Sequence, residues 1–266
     1  YLFAIIFMSS LSVYFDLKLL IITIICFFYI MKSKIFFKEK FLSFLLYLGF
    51  GIPYLLLILE WNGIVAPKTQ VANPKTITNI YRISDLYIYH LGYVSTIIGF
   101  YLFPFLFLKE KNIFQILKDF LNNKTKVAIL ILPLTYILYM YTNIDFKSFT
   151  IDDYWIGLGV VKKTADFLFQ DILLREMFTY LIFFLSWIVI LLYIEYVTDY
   201  LIVSFYFILS LIIWPLMQEY FDPIIIILVL MIFKTKVRLN YLNSSFLVFY
   251  FATLLIIAKI YYSGFV

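Results

Sequence analysis

The hydrophobic residues of this chain fall into long runs, and short polar connections separate one run from the next. Roughly 20 mostly apolar residues in a helix cross a bilayer core of about 30 Å. The pattern therefore predicts an all-α, polytopic bundle of about nine transmembrane helices. The runs are Tyr1–Phe15, Leu17–Met31, Phe41–Leu59, Ser84–Leu108, Val127–Tyr141, Met177–Ile194, Tyr200–Leu216, Pro223–Phe233 and Phe246–Tyr262.

Basic residues are concentrated in alternate connections, namely Lys32–Lys40, Lys109–Lys126 and Lys234–Arg238. If the first of these is inside, the inner connections carry twelve basic residues and five acids, whereas the outer ones carry eight and eleven. Short cytoplasmic loops of membrane proteins retain Lys and Arg. The pattern therefore predicts that all three basic connections are cytoplasmic, in a bacterial inner membrane or in the endoplasmic reticulum.

Two connections have a helical pattern of their own. In Asn112–Asn122, apolar residues repeat on one side of a helix, and in Thr164–Met177 a similar stripe lies opposite an i,i+4 pair of Asp171 and Arg175. This pattern predicts two amphipathic helices in the headgroup layers. Glu195 and Asp199 have no basic residue close by in the sequence, and we expect both to face water.

Proline lies within or near the ends of four runs. Proline removes a backbone donor and leaves the carbonyl four residues earlier without its helical partner. Neighbouring helices in a membrane bundle can supply a donor to that carbonyl, so we expect kinks rather than breaks.

The composition agrees with a single membrane domain over residues 1–266. The chain is 65% hydrophobic and 14% charged, whereas a soluble chain is about half apolar and a quarter charged. The net charge of +5 comes from the basic connections, so we expect no nucleic-acid partner. One cysteine and one histidine predict no disulfide framework, no metal site and no cofactor. The chain begins at Tyr1 inside an apolar run, which suggests the C-terminal part of a longer protein.

The candidate functional residues are polar groups of the predicted outer side. The connection after Glu60 contains Asn62, at a turn signal, and Lys68, and it leads to Arg82. It is either a surface turn with an aromatic anchor or a loop that closes over a substrate, with a basic side chain on a phosphate.

The longest outer connection, Thr142–Glu176, contains Asp152 and Asp153 beside aromatic residues and the basic pair Lys162 and Lys163. Carboxylates accept hydrogen bonds from sugar hydroxyls, and aromatic rings stack on sugar C–H surfaces. A sugar-binding loop and a solvated acidic loop are both compatible with this composition.

Glu219, Tyr220 and Asp222 lie in a connection of about six residues between two apolar runs. Acids close to the membrane are costly and need either water or a functional reason. The connection is therefore a tight turn that reaches water or the wall of an outer pocket. His90 lies about six residues into its run, where it is either a hydrogen-bonded interhelical residue or a ligand or proton relay.

Three short stretches resemble the membrane α-1,2-glucosyltransferases that add the last glucose to lipid-linked oligosaccharide. They are Trp61–Val65, the aromatic-rich helix that holds His90 and ends near Pro104, and the late element Pro215–Pro223. In the late element Glu219–Phe221 lacks the arginine of the family. More broadly, the architecture is similar to that of C-type glycosyltransferases, which use polyprenyl-phosphate sugars.

The resemblance implies a transferase that moves a sugar from a polyprenyl-phosphate donor to a glycan or lipid-linked acceptor at the outer or lumenal face. Its catalytic residue is not identified. The catalytic acid of the family usually lies in the first outer loop, which we expect to precede Tyr1. Two other classes stay open. One is a transporter or lipid-carrier flippase, and the other is a structural subunit of an organellar membrane complex.

Overall fold

The computed structural model describes residues 1–15, 19–61, 86–143, 146, 159–211, 222–235, 237–238 and 240–262. Within these ranges the chain is helical and contains no strand. The helices are α1 (Leu2–Phe15), α2 (Leu20–Lys32), α3 (Phe37–Trp61), α4 (His90–Leu106), α5 (Ile113–Asn122), α6 (Lys124–Ile129), α7 (Ile131–Asn143), α8 (Gly159–Leu168), α9 (Ile172–Tyr193), α10 (Val197–Ser210), α11 (Asp222–Ile227), a π-helical segment (Leu228–Ile232) and α12 (Tyr241–Tyr262).

Three helical stretches in the described part of the chain are long and apolar enough to cross a membrane. They are Phe37–Glu60, Lys124–Asn143 and Ile172–Tyr193. Five further apolar helices are shorter. The structure thus confirms the all-helical class. The length and composition of these helices are those of a membrane protein, while the number of nine spans stays a prediction.

The described residues form two compact units. The first lies within Tyr1–Ile88 and Ser204–Trp214, and the second within Tyr89–Val203 and Pro215–Val266. In the first unit, α1 packs against α2 and α3. The Thr23 hydroxyl donates to the Ser9 carbonyl at 2.5 Å, and the Ser9 hydroxyl lies 3.0 Å from that of Tyr47. Small hydroxyl side chains therefore link apolar helices, as they do in membrane bundles.

The second unit is built around the close packing of α4 against α9. A Cβ atom at Gly92 would overlap the Phe183 ring, and one at Gly99 would lie 2.8 Å from the Ser186 Cβ. Phe183 and Ser186 are themselves buried. Only glycine permits this approach, and small residues at helix crossings are typical of membrane helices.

Hydrogen bonds define the chain directions in the second unit. Tyr136 of α7 contacts the start of α4, because its hydroxyl donates to the Tyr89 carbonyl and accepts from the Gly92 amide. Lys126 of α6 contacts the last turn of α9. Lys109, just after α4, contacts the same turn. It follows that α4 and α9 run parallel, and the stretch α6–α7 runs antiparallel to both.

Pro104 lies inside α4, which continues through it. Its ring removes the donor that the Phe100 carbonyl would otherwise receive. The Tyr250 hydroxyl of α12 donates to that carbonyl at 3.1 Å. A neighbouring helix therefore supplies the missing hydrogen bond at this proline, as expected for a membrane bundle.

Pro133 has a different effect, because α6 ends at Ile129, four residues before it, and α7 begins only two residues later. The proline ring clashes with the carbonyl of the residue four positions earlier, which here is Ile129. The two helices together still form one stretch of spanning length.

The predicted amphipathic helix over Asn112–Asn122 is present as α5. Asn112 is its N-cap and accepts from the Phe114 amide. Ile116 and Phe120 are buried against the protein. Phe114 and Leu121 are exposed, which leaves apolar surface uncovered on this helix.

The predicted helix over Thr164–Met177 is wrong in its bounds. The chain forms α8 up to Leu168 and starts α9 at Ile172, because the Asp171 side chain accepts from the Leu174 amide and caps the new helix. The predicted pair of Asp171 with Arg175 is also wrong. The Arg175 guanidinium binds Asp166 at 3.1 Å and the Phe169 carbonyl at 2.6 Å.

Candidate functional site

The predicted outer site residues are described only in part. Glu60 is exposed in the last turn of α3, in the first unit, and Asp222 is the first residue of α11 in the second unit. The convergence of the outer connections on one cavity stays a prediction. Seven candidates lie outside the described residues, namely Asn62, Lys68, Arg82, Asp152, Asp153, Glu219 and Tyr220.

His90 is fully buried in the first turn of α4. Its ring lies edge-on to Tyr89 with 4.6 Å between centroids. The buried Tyr93 ring contacts Phe183, which also contacts Tyr180. We call this cluster, formed by Tyr89, His90, Tyr93, Tyr136, Tyr180 and Phe183, the tyrosine end of the second unit.

Lys162 belongs to a small charge cluster on α8, which packs against α4 and α9. Its ammonium lies 2.7 Å from Asp166, which also binds Arg175. Lys163 follows it on the same helix and is half-buried. A single carboxylate therefore bridges two basic groups close to the start of α9, where Asp171 and Glu176 are two further acids.

The opposite end of α9 is held by two lysines of the connection Lys109–Lys126. Lys109 donates to the carbonyls of Leu192 and Tyr193, and Lys126 donates to those of Leu191 and Ile194. The last carbonyls of a helix lack intrahelical donors and carry partial negative charge. Two ammonium groups therefore supply the hydrogen-bond donors that the last carbonyls of α9 lack.

Glu195 is exposed to water, as expected, but it also has a basic partner that is distant in the sequence. Its carboxylate lies 2.5 Å from the Lys109 ammonium, whose side chain is only 5% exposed. The partner is 86 residues away in the sequence, because α4 and α9 end side by side. An ammonium with so little access to water needs this compensation.

The expectation that Asp199 faces water is wrong, because this residue is fully buried. Its carboxylate accepts at 3.1 Å from the Lys234 amide and from the amide and hydroxyl of Thr235. A carboxylate at the start of α10 thus fixes the segment that follows the π-helical segment. The sequence around Asp199 does not indicate this role, because the partners of its carboxylate lie 35 and 36 residues away.

A third contact brings the segment 237–238 to the same place. The Arg238 amide donates to the Leu108 carbonyl at 2.8 Å, and its guanidinium lies 3.2 Å from Glu110. Residues of three connections therefore meet at one end of the second unit. We call this meeting point, formed by 108–126, 194–199, 233–235 and 237–238, the basic junction.

The basic junction contains a cavity of about 210 Å³. At its rim, Lys111 pairs with Asp119 at 2.5 Å, and both side chains are more than half exposed. The hydrogen bond between them raises the pKa of Lys111 and lowers that of Asp119. The cavity is lined by Lys109, Lys111, Ile116, Asp119, Phe120, Asn123, Lys126, Leu192 and Glu195.

Comparison with protein families, with characterised proteins and with solved structures found no match to this chain. A proposal for its function therefore rests on the sequence, the fold and the two ends of the second unit. Among the described residues, no three His, Cys, Asp or Glu side chains gather where they could hold a metal ion.

Proposed function

We propose that the chain is a nine-span membrane protein with the basic junction in the cytoplasm. The contacts between connections support this topology. Lys109 with Glu195 and Glu110 with Arg238 join three connections that the basic pattern assigns to one side. A chain whose spans alternate in direction brings every second connection to the same end.

We further propose that the protein is a glycosyltransferase that uses a polyprenyl-phosphate sugar at the outer or lumenal face. One observation carries this proposal. The tyrosine end lies opposite the basic junction and combines buried aromatic residues and His90 with the charge cluster of Lys162, Asp166 and Arg175. The side chains of Lys162 and Arg175 are 17% and 22% exposed and suit a donor phosphate, whereas the buried rings pack on one another.

The neighbouring helix α8 suits a lipid-linked donor. Val160, Phe167 and Leu168 are exposed on it, although all three are apolar. Bringing a polyprenyl tail out of the bilayer costs about 0.8 kcal/mol for each CH₂ group. A transferase of this kind therefore needs a working face at the edge of the membrane, with apolar surface beside its polar groups.

The test is sugar transfer by the full-length chain in proteoliposomes that contain radiolabelled polyprenyl-phosphate glucose. We expect transfer of the label to another lipid or glycan from this donor and not from a nucleotide sugar. Replacing Glu219 or Asp222 by alanine should lower transfer by about tenfold or more, the effect of losing one charged hydrogen bond to the substrate. Glu110→Gln, at the basic junction, is the control and should retain activity.

Transfer that survives both alanine substitutions would contradict the assignment of this connection to the site. Absence of any transfer from the lipid donor by the unaltered protein would contradict the enzyme class.

A further inference from the structure

Several N–H donors around the cavity of the basic junction make no hydrogen bond with the described residues. An ammonium group has three N–H donors. The contacts of Lys126 with described residues use two, and those of Lys111 use one. The Asn123 side-chain oxygen accepts from the Lys126 amide, so its NH₂ group is also available to the cavity.

The charges around the cavity favour an anion. Three lysines and two carboxylates line it, and the carbonyl oxygens that end α9 are already bound by Lys109 and Lys126. Lys118 and Lys124 are exposed on the same connection and add positive charge. The volume of about 210 Å³ is many times the roughly 10–15 Å³ that one water needs, so a phosphate group fits.

The surroundings favour a lipid as the source of that phosphate. Helix α5 forms part of the cavity wall through Ile116 and Phe120, and it also exposes Phe114, Leu117 and Leu121. In particular, Phe114 is 76% and Leu121 70% exposed. A free phosphate ion gains nothing from this apolar stripe, whereas the acyl chains of a phospholipid would cover it.

We propose that the cavity of the basic junction binds the phosphate of an anionic phospholipid from the cytoplasmic leaflet. Lys111, Lys126 and the Asn123 amide hold the phosphate, and the acyl chains lie along the exposed apolar side of α5. Basic pockets between helices on the cytoplasmic side are suited to such headgroups. The inference rests on the proposed membrane topology but not on sugar transfer.

Asp119 lowers the affinity of this site for the lipid, because its carboxylate competes with the lipid phosphate for Lys111. Two substitutions should therefore have opposite effects. Lys111→Gln removes a donor, and Asp119→Asn releases one. Both positions are exposed and leave the contacts of Lys109 and Lys126 with α9 untouched.

The experiment is native mass spectrometry of the full-length protein in a neutral detergent, titrated with phosphatidylglycerol or phosphatidylcholine. We expect one tightly bound phosphatidylglycerol, with affinity lowered about fivefold by Lys111→Gln and raised by Asp119→Asn. Lys38→Gln is the matched control, because it removes an exposed lysine from another connection of the same predicted side. It should leave the bound lipid unchanged.

Equal effects of Lys111→Gln and Lys38→Gln would overturn the proposal, since general attraction to the charged chain would then explain binding. Displacement of the lipid by an equal concentration of inorganic phosphate would also overturn it and identify a free anion as the ligand. Because no sugar donor is present, the outcome is independent of the transferase assay.

Discussion

At the scale of single residues, Gly99 sets how closely α4 and α9 approach. A Cβ at this position would lie 3.0 Å from the Ser186 Cα and 3.2 Å from its carbonyl oxygen. Backbone atoms cannot rotate away as a side chain can. Gly99→Ala should therefore push the two helices apart and lower the stability by about 1–3 kcal/mol, as overpacking does.

Gly51 offers the matched control for this substitution. It also lies in an apolar helix, but nothing lies within 4 Å of the Cβ that alanine would add. We expect Gly51→Ala to be neutral or slightly stabilising, because alanine is a better helix former. Reversible unfolding of both variants in mixed micelles measures the difference, and equal stabilities would contradict the packing of α4 on α9.

Tyr250 and Pro104 form a second pair that a double-mutant cycle can separate. Tyr250→Phe removes the donor to the Phe100 carbonyl and should cost about 0.6 kcal/mol, the average for hydrogen bonds between membrane helices, and at most about 1.7 kcal/mol. In a Pro104→Ala background, the amide of residue 104 supplies that carbonyl from within the helix. The cost of Tyr250→Phe should then shrink, and an unchanged cost would show that Pro104 does not create the need for Tyr250.

At the scale of elements, Asp199 determines the position of the segment after the π-helical segment. Its buried carboxylate accepts from two amides and a hydroxyl of Lys234 and Thr235. Asp199→Asn exchanges one acceptor oxygen for a donor that faces those donors. We expect a loss of about 3 kcal/mol, since it breaks a buried, charge-assisted network.

Amide hydrogen exchange is the direct measurement of that change, because the amides of Lys234 and Thr235 lose their acceptors. Glu110→Gln is the control within the same junction. Its partner Arg238 is 71% exposed, and such exposed pairs contribute little. Equal exchange in the two variants would contradict the role of Asp199.

Sequence reasoning succeeded for elements whose signals are local. Helix α5 was predictable because Asn112 caps it and its apolar residues repeat at helical spacing. It failed at Thr164–Met177, because the apolar repeat runs on past Asp171 and hides the start of a new helix. The signal was an aspartate just before an apolar run, which is a recognised N-cap pattern.

The partners of Glu195 and Asp199 could not be found in this way. Lys109 and Thr235 are far from them in the sequence, and only the packing of α4, α9 and α10 brings them together. The same holds for the proline in α4. The sequence predicts that some neighbour supplies the Phe100 carbonyl, but the choice of Tyr250 depends on tertiary structure.

At the scale of the whole molecule, the alternation of basic connections and the contacts of the basic junction are independent observations that agree on one point. The connections after α4, α9 and the π-helical segment belong to the same end of the second unit. The first is a count of charges along the chain. The second consists of hydrogen bonds and ion pairs within the second unit. If the basic connections are cytoplasmic, the tyrosine end faces outward, and a lipid-linked sugar would meet it there.

Cysteine accessibility in intact cells tests that topology most directly. Cys26 is first replaced by serine, and single cysteines are then introduced at Lys38, Lys118 and Lys68. A membrane-impermeant thiol reagent should label only the cysteine at position 68 from outside, whereas the other two should react only after the membrane is permeabilised. Labelling at position 38 or 118 in intact cells would contradict the cytoplasmic basic junction and the orientation on which the proposed function rests.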